Sequence, residues 1–130
     1  MSKIDSLSEE GLKPETINGK IRFENVYFNY PTRPNVKILQ GLTLACEKGE
    51  TNGFVGPSGC GKSTTIALLL RFYDVDSGSI YLDEVDIRKL NIRWLRSKIG
   101  LVSQEPILFN MSIYENICYG DVQRGDKVFY

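Results

Sequence analysis

The feature that most constrains this chain is a glycine-rich stretch near its middle. Residues 56–63 read G-P-S-G-C-G-K-S and fit the pattern G-x-x-x-x-G-K-[S/T]. Glycines let the backbone curl so that successive N–H groups point into one concavity, where an anion can accept from all of them. A helix that begins at the end of such a loop adds its own free N–H groups and the positive end of its dipole. The stretch therefore predicts a site for the phosphates of a nucleoside triphosphate.

Two polar side chains of this loop have expected partners. We expect the Lys62 ammonium to reach the β- and γ-phosphates, and the Ser63 hydroxyl to complete the ligand shell of a Mg²⁺ ion. The flanks support this interpretation, because apolar Phe54 and Val55 predict a short strand before the loop, and a helix is predicted from Ser63 to about Tyr73. The alternative is a glycine-rich turn before an ordinary helix. Since glycine makes up about 7% of residues on average, a chance match in a chain of this size arises roughly once in a few hundred sequences. ATP and Mg²⁺ are the predicted cofactors.

The composition excludes several classes of protein. The chain has 130 residues, of which 42% are apolar, and this suits one domain with a core. Its 16 basic and 16 acidic residues cancel, so no overall field draws it to nucleic acid or to an anionic membrane. The longest apolar run, Ile66–Leu70, is too short to cross a bilayer, and the first residues lack the apolar stretch of a signal peptide. We therefore expect no nucleic-acid partner and no membrane span in this chain.

The use of cysteine and histidine argues against a metal centre built from these residues. Cys46, Cys60 and Cys118 are odd in number and widely spaced, which suits free thiols in a reducing cytosol. They lack the spacing of metal ligands, and the sequence contains no histidine to join them.

The alternation of apolar and polar residues predicts strands on both sides of the glycine loop. Residues 1–19 are polar and are interpreted as a linker or tail. Three strands are predicted, at Ile21–Phe28, at Val36–Cys46 with an interruption at Gly41, and at Ile80–Leu82. The strand before the loop is expected to be weak, because Asn52 and Gly53 are poor strand formers.

Helical spacing predicts two further helices in the second half. Asn91 is the expected N-cap of a helix that presents Ile92, Leu95 and Ile99 on one face. A short strand is predicted at residues 101–102, before the sequence Q-E-P. A last helix is predicted from Ser112 to about Cys118, with Ile113 and Ile117 buried.

Three stretches together indicate a family. They read V-Y-F-N-Y-P-T-R-P at residues 26–34, G-P-S-G-C-G-K-S-T at residues 56–64, and V-S-Q-E-P at residues 102–106, followed by Leu108 and Phe109. In their order and separation the chain resembles the nucleotide-binding domain of ABC transporters, most closely the P-glycoprotein-like multidrug exporters of subfamily B. The resemblance covers about Gly11 to Gly120. It implies an α/β fold of the P-loop NTPase class, with an ABC-type ATPase core and an antiparallel β subdomain.

The resemblance also implies roles for individual residues. Tyr30 would stack on the adenine ring, a contact worth about 1–3 kcal/mol per base in nucleic-acid systems, and Arg33 and Ile38 would line the base and ribose. Gln104 would help to coordinate Mg²⁺, take part in catalysis with Lys62, and contact the coupling helices of a transmembrane domain. The implied contacts of the phosphate loop are Pro57, Ser58, Gly59, Cys60, Gly61, Lys62, Ser63 and Thr64. Taken alone, Tyr30 would be a turn aromatic that caps the sheet, and Gln104 a solvated loop amide.

Other parts of the family pattern are missing from these residues. The sequence contains no L-S-G-G-Q signature and no switch histidine. Residues 80–84, I-Y-L-D-E, imitate a Walker B strand, but Ser79 breaks the apolar run. The family has an antiparallel strand and a turn at this place, and Glu84 replaces the family's turn glycine. The resemblance therefore implies a core truncated before the signature and the Walker B strand.

These expectations give a division of the chain and a function. Residues 1–19 form a polar linker, residues 20–120 the N-terminal half of the nucleotide-binding domain, and residues 121–130 a tail that follows no pattern. The parent protein would use ATP hydrolysis to drive export, with a second nucleotide-binding domain placed head to tail and a transmembrane domain as partners. It would lie at the cytoplasmic face of a membrane, whereas the chain expressed alone would be soluble in the cytosol.

Two other functions stay open. One is a non-catalytic nucleotide-binding or interaction module, produced by truncation or alternative splicing. The other is a soluble ABC-type ATPase of DNA maintenance or translation, which the sequence Y-P-T-R-P at residues 30–34 disfavours.

Overall fold

The structure, a computed structural model, describes residues 4–105 and 107–119. The chain divides into two compact units, residues 1–98 and residues 99–130. In order, the elements are β1 (Ile21–Phe28), β2 (Leu39–Cys46), α1 (Lys62–Leu69), β3 (Ser77–Leu82), β4 (Val85–Asp86), a 3₁₀ turn (Ile87–Lys89), α2 (Ile92–Ser97) and α3 (Ile113–Cys118). The first seven elements belong to the first unit, and α3 belongs to the second.

A four-stranded antiparallel sheet in the order β2-β1-β3-β4 forms the framework of the first unit. β1 is an inner strand, where Phe23 lies opposite Leu44 of β2 and Ile80 of β3. Phe23 and Val26 are buried although three positions separate them, because the register shifts at a bulge between them. The bulge adds a residue, so both side chains reach the same face. The three predicted strands around the loop are confirmed, and their pairing is antiparallel.

The bulge requires a glycine on the neighbouring strand. Asn25 at the bulge has a φ of 48°. Opposite it, Gly78 has a φ of 86°, and a Cβ atom there would lie 2.3 Å from the carbonyl oxygen of Asn25. A larger residue at this position would push the two strands apart.

α1 ends earlier than the sequence predicts, at Leu69 instead of about Tyr73. Arg71 has a φ of 54°, which breaks the helical backbone. The amide of Arg71 donates to the carbonyl of Leu68, and that of Phe72 donates to the carbonyl of Ala67. This is the Schellman arrangement, with an arginine in the left-handed position that glycine usually takes.

Arg96 of α2 binds the end of α1. Its guanidinium donates to the carbonyl oxygens of Leu70 and Arg71, both at 3.0 Å, and lies 5.1 Å from the centre of the Phe72 ring. The carbonyls at a helix C-terminus lack helical partners, and a cation there also meets the negative end of the helix dipole. Arg96 therefore fastens α2 to the end of α1 opposite the glycine loop.

Two predicted strands are wrong. Residues 51–57 and 101–103 have no regular secondary structure, and the side chains of Val55 and Val102 are 98% and 96% exposed. No strand in the described part of the chain pairs with either stretch. A strand of two or three residues cannot hold its conformation without a neighbour.

The last helix is confirmed, but its predicted burial is wrong. Ser112 caps α3 and forms a capping box with Glu115, as an N-terminal serine followed by glutamate favours. Ile113 and Ile117 are nevertheless 82% and 77% exposed. Within residues 99–105 and 107–119 there is no second helix or strand to cover them.

The N-terminal polar segment makes specific contacts that its composition does not predict. Leu12 forms a parallel bridge with Leu90, its amide donates to the Lys89 carbonyl at 2.8 Å, and its carbonyl accepts from the Asn91 amide at 2.9 Å. Gly11, with a φ of 103°, lies so close that a Cβ atom would be 2.6 Å from the Asn91 nitrogen. Residues 8–12 therefore run against the start of α2.

Asn91 is the residue that joins this segment to α2, and its loss should destabilise the fold. The side chain has no exposed surface, caps α2 by accepting from the Trp94 amide at 2.9 Å, and donates to the carbonyls of Ser8 and Glu10. We expect Asn91→Ala to lower the free energy of unfolding by about 2–4 kcal/mol, because a cap and two buried hydrogen bonds are lost. Urea unfolding followed by circular dichroism measures this change.

Asn91→Asp and Asn52→Ala are the matched controls. Asn91→Asp keeps the cap acceptor but turns a buried carboxylate oxygen toward the carbonyls of Ser8 and Glu10, so it should destabilise the chain at least as much as Asn91→Ala. Asn52 is exposed, so Asn52→Ala should stay within about 0.5 kcal/mol of the unchanged chain. Equal stability of Asn91→Ala and Asn52→Ala would show that the segment is not held by Asn91.

Candidate nucleotide-binding site

Two left-handed glycines shape the loop before α1. Gly59 has a φ of 80°, and Gly61, the N-cap of α1, has a φ of 95°. A Cβ atom on Gly61 would lie 2.7 Å from Cδ2 of Leu39 and 3.5 Å from the carbonyl oxygen of Ile38. The end of the loop therefore presses against the start of β2, and Ile38, expected to line the nucleotide, lies beside it.

The first turn of α1 presents hydrogen-bond donors without acceptors. The first amide with a backbone partner in this turn is that of Thr65, which donates to Gly61 at 2.9 Å. Within the described ranges, the amides of Lys62, Ser63 and Thr64 have no acceptor. The turn also contains no acidic residue. Three free N–H groups and the positive end of the helix dipole thus point out of one turn, which is the arrangement that binds phosphate.

The Lys62 ammonium lies across the loop itself. It donates to the carbonyl oxygens of Gly56 and Pro57 and lies 3.6 Å from the sulfur of Cys60. Among the residues that the structure describes, it has no carboxylate partner. Its charge is therefore held by neutral acceptors, which phosphate oxygens can replace with stronger, charge-assisted bonds.

Tyr30 lies next to α1 and touches it. The hydroxyls of Tyr30 and Thr64 are 2.9 Å apart, and the Tyr30 ring is half-buried against Phe28 and Tyr73. Arg33 donates its amide to the Tyr30 carbonyl in the turn after β1, and its side chain is exposed. The structure thus brings Tyr30, Ile38 and the loop together in the first unit. No local pattern indicates the bond between Tyr30 and Thr64, because 34 residues separate the two hydroxyls.

These residues fit a nucleoside triphosphate better than a metal bound by protein alone. Ser63 is exposed at the start of α1, where its hydroxyl can join a Mg²⁺ ion that phosphate oxygens and water also hold. In the described part of the chain no group of three or more His, Cys, Asp or Glu residues could hold a metal ion. Gln104 is exposed at a bend in the second unit, so its roles in binding Mg²⁺ and in catalysis stay predictions.

The imitation Walker B sequence is a β-turn between β3 and β4. Asp83 and Glu84 have φ values of 49° and 64°, and for residues other than glycine this conformation costs about 1–2 kcal/mol each. The Asp83 carboxylate accepts from the amides of Asn18 and Lys20. Glu84 pairs with Arg22 at 3.0 Å, and this hydrogen bond lowers the pKa of the Glu84 carboxyl. Both carboxylates therefore bind residues at or just before the start of β1. The expected antiparallel strand and turn are confirmed.

The sheet, the glycine loop and the helix that follows it define an α/β P-loop NTPase core. A sequence profile described as ABC transporter matches residues 39–129. The chain therefore belongs to the ABC transporter family, and the resemblance seen in the sequence is confirmed.

Three relatives from different organisms are similar to nearly the whole chain. The chain is 56% identical over 121 residues to the human "ATP-binding cassette sub-family B member 5", a match that covers 93% of this chain and 10% of that protein. It is 57% identical over 121 residues to the "ABC multidrug transporter atrD" of Emericella nidulans, covering 93% of this chain and 9% of that protein. It is 56% identical over 119 residues to the "ABC transporter B family member 3" of Dictyostelium discoideum, covering 92% and 8%. The chain spans about a tenth of the length of these relatives.

No helix in the described ranges is long and apolar enough to cross a membrane.

Cys60 should be the first cysteine to react with a maleimide. It is exposed in the loop, whereas Cys46 and Cys118 are half-buried, so the reagent reaches the Cys60 sulfur most easily. Burial, with a smaller contribution from the charge of Glu50, raises the pKa of the half-buried Cys46. We expect Cys46 to react more slowly than Cys60 at neutral pH, because burial both limits access to its sulfur and lowers its thiolate fraction.

Peptide mapping by mass spectrometry after timed labelling measures the order of reaction. MgATP should slow the labelling of Cys60 by occupying the loop and should leave Cys46 and Cys118 unchanged. Cys60→Ser is the control, and it should remove the nucleotide-sensitive label alone. Labelling of Cys46 or Cys118 first, with no effect of MgATP, would contradict the prediction.

Proposed function

We propose that this chain is the ATP-receiving part of the nucleotide-binding domain of a multidrug-type ABC exporter. The observation that carries the proposal is the first turn of α1, where three free amides lie next to a lysine that has no carboxylate partner in the described ranges. One relative is named as a multidrug transporter and another as an ABC transporter of the B family, which supports export as the activity of the whole protein.

Binding would change the partners of a few side chains. Lys62 would exchange the carbonyls of Gly56 and Pro57 for phosphate oxygens. The Ser63 hydroxyl would contact Mg²⁺, and the ring of Tyr30 would meet the adenine. Arg33 and Ile38 would lie around the base and ribose. The exchange at Lys62 is favourable, because it pairs the ammonium with oppositely charged oxygens in place of neutral carbonyls.

Hydrolysis needs groups that these 130 residues do not contain. The sequence lacks L-S-G-G-Q and any histidine, and Asp83 and Glu84 serve the β3–β4 turn. We propose that the catalytic carboxylate and the signature come from other parts of the exporter, the signature from a second nucleotide-binding domain placed head to tail. Gln104 would contact the transmembrane domain, at the cytoplasmic face of the membrane.

Lys62→Ala tests ATP binding. We expect the affinity for ATP to fall at least about tenfold, because the lost charge-assisted contacts are worth about 1.5–3 kcal/mol. Titration with a fluorescent ATP analogue measures the affinity. Lys48→Ala is the matched control, since the Lys48 ammonium donates to Asn18 on the surface, and it should bind like the unchanged chain. Equal affinities for all three chains would refute ATP binding by the loop.

A second test asks whether the chain hydrolyses ATP. Phosphoryl transfer depends almost entirely on positioned charges and a positioned water, so we expect no phosphate release above that of Lys62→Ala. A coupled phosphate assay on the purified chain measures the rate. Glu84→Gln serves as a further comparison and should change nothing. Activity that is lost both in Lys62→Ala and in Glu84→Gln would contradict the proposal and make Asp83 and Glu84 a Walker B pair.

A further inference from the structure

We infer that Tyr30 is a positioning residue for the phosphate-binding turn of α1, in addition to its proposed contact with the base. The inference rests on the proposed ATP binding. Its physical basis is the hydrogen bond between the hydroxyls of Tyr30 and Thr64, which are 2.9 Å apart. Through this bond, recognition of the base and recognition of the phosphates depend on one another.

Thr64 is the residue through which the bond reaches the phosphate site. Its backbone amide is one of the three free donors in the first turn of α1. Its side chain is buried, since the residue is only 4% exposed, and its hydroxyl bonds to the hydroxyl of Tyr30. A hydrogen bond to the side chain therefore restrains the residue whose amide is to meet phosphate.

Tyr30 is itself held firmly enough to restrain another residue. Its ring centre lies 5.1 Å from that of Phe28 and 5.4 Å from that of Tyr73, and the ring planes cross at 78° and 88°. These are favourable edge-to-face geometries. Phe28 is 2% exposed at the end of β1, and Tyr73 follows the Schellman end of α1. The Tyr30 ring thus connects the sheet with residues near both ends of α1.

The two roles of Tyr30 predict different losses. Stacking on a base affects only ligands that have a base, so loss of the stack would weaken ATP and spare inorganic triphosphate. Loss of the bond to Thr64 frees the first turn of α1, so it would weaken both ligands. Tyr30→Phe separates the roles, because it keeps the ring and removes the hydroxyl.

The experiment is a double-mutant cycle with inorganic triphosphate as the ligand without a base. Affinities of ATP and triphosphate are measured by calorimetry for the unchanged chain, Tyr30→Phe, Thr64→Val and the double variant. We expect each single variant to weaken both ligands by about two- to tenfold, the effect of one net hydrogen bond. The double variant should lose no more than either single variant, because both remove the same bond.

Tyr27→Phe is the matched control. Tyr27 lies on β1, is 42% exposed, and its hydroxyl has no hydrogen-bond partner in the part of the chain that the structure describes. Loss of this hydroxyl should leave both affinities unchanged. Amide exchange of residues 62–69 in the ligand-free chains is a second readout, and it should accelerate in Tyr30→Phe and Thr64→Val but not in Tyr27→Phe.

The outcomes separate the inference from the proposed function. Normal triphosphate affinity and normal exchange in Tyr30→Phe would overturn the inference and leave ATP binding intact. Additive losses in the double variant would overturn it as well. Failure of the unchanged chain to bind either ligand would refute the proposed function, and the exchange rates would then decide whether Tyr30 restrains α1.

Discussion

The candidate site depends on the backbone N–H groups at the start of α1, which have no hydrogen-bond acceptors within the described ranges. A helix always begins with free N–H groups, and most helices satisfy some of them with a capping side chain. α1 does not, because its N-cap is Gly61, which has no side chain. The Schellman turn and Arg96 satisfy the opposite end of the helix. The helix is therefore complete at one end and open at the other, and the open end is where an anion can bind.

Short sequence patterns correctly predicted the elements whose formation depends on residues close together in the chain. The alternation in β1, the cap at Asn91 and the glycine loop before α1 are confirmed, because each depends on neighbours within a few residues. The patterns failed where the outcome depends on distant partners. Phe54–Val55 and residues 101–102 form no strand, since nothing in the described ranges pairs with them. The bond between Tyr30 and Thr64 and the clamp by Asn91 link residues that are far apart in the chain, and the sequence contains no signal for either.

The β3–β4 turn shows how geometry separates two interpretations of the same letters. An acidic pair after apolar residues suits a Walker B strand in the sequence, yet the backbone at Asp83 and Glu84 is left-handed. Asp83 binds two backbone amides and Glu84 binds Arg22. The ion pairs and hydrogen bonds of these carboxylates offset the strain of the turn. A five-residue motif such as residues 80–84 therefore identifies a catalytic strand only when the partners of its carboxylates are known.

The two left-handed glycines of the phosphate loop, Gly59 and Gly61, differ in what would oppose their substitution. Gly61 is enclosed by Leu39 and Ile38, whereas nothing lies within 4 Å of where a Cβ atom on Gly59 would be. Selection for folding alone would preserve Gly61, because any other residue would collide with β2 in addition to its backbone strain. A lineage that had lost its nucleotide would keep a glycine at position 59 only for its left-handed backbone, which asparagine or aspartate also tolerate. Of the two residues, Gly59 is therefore the better indicator that such a chain still binds a nucleotide.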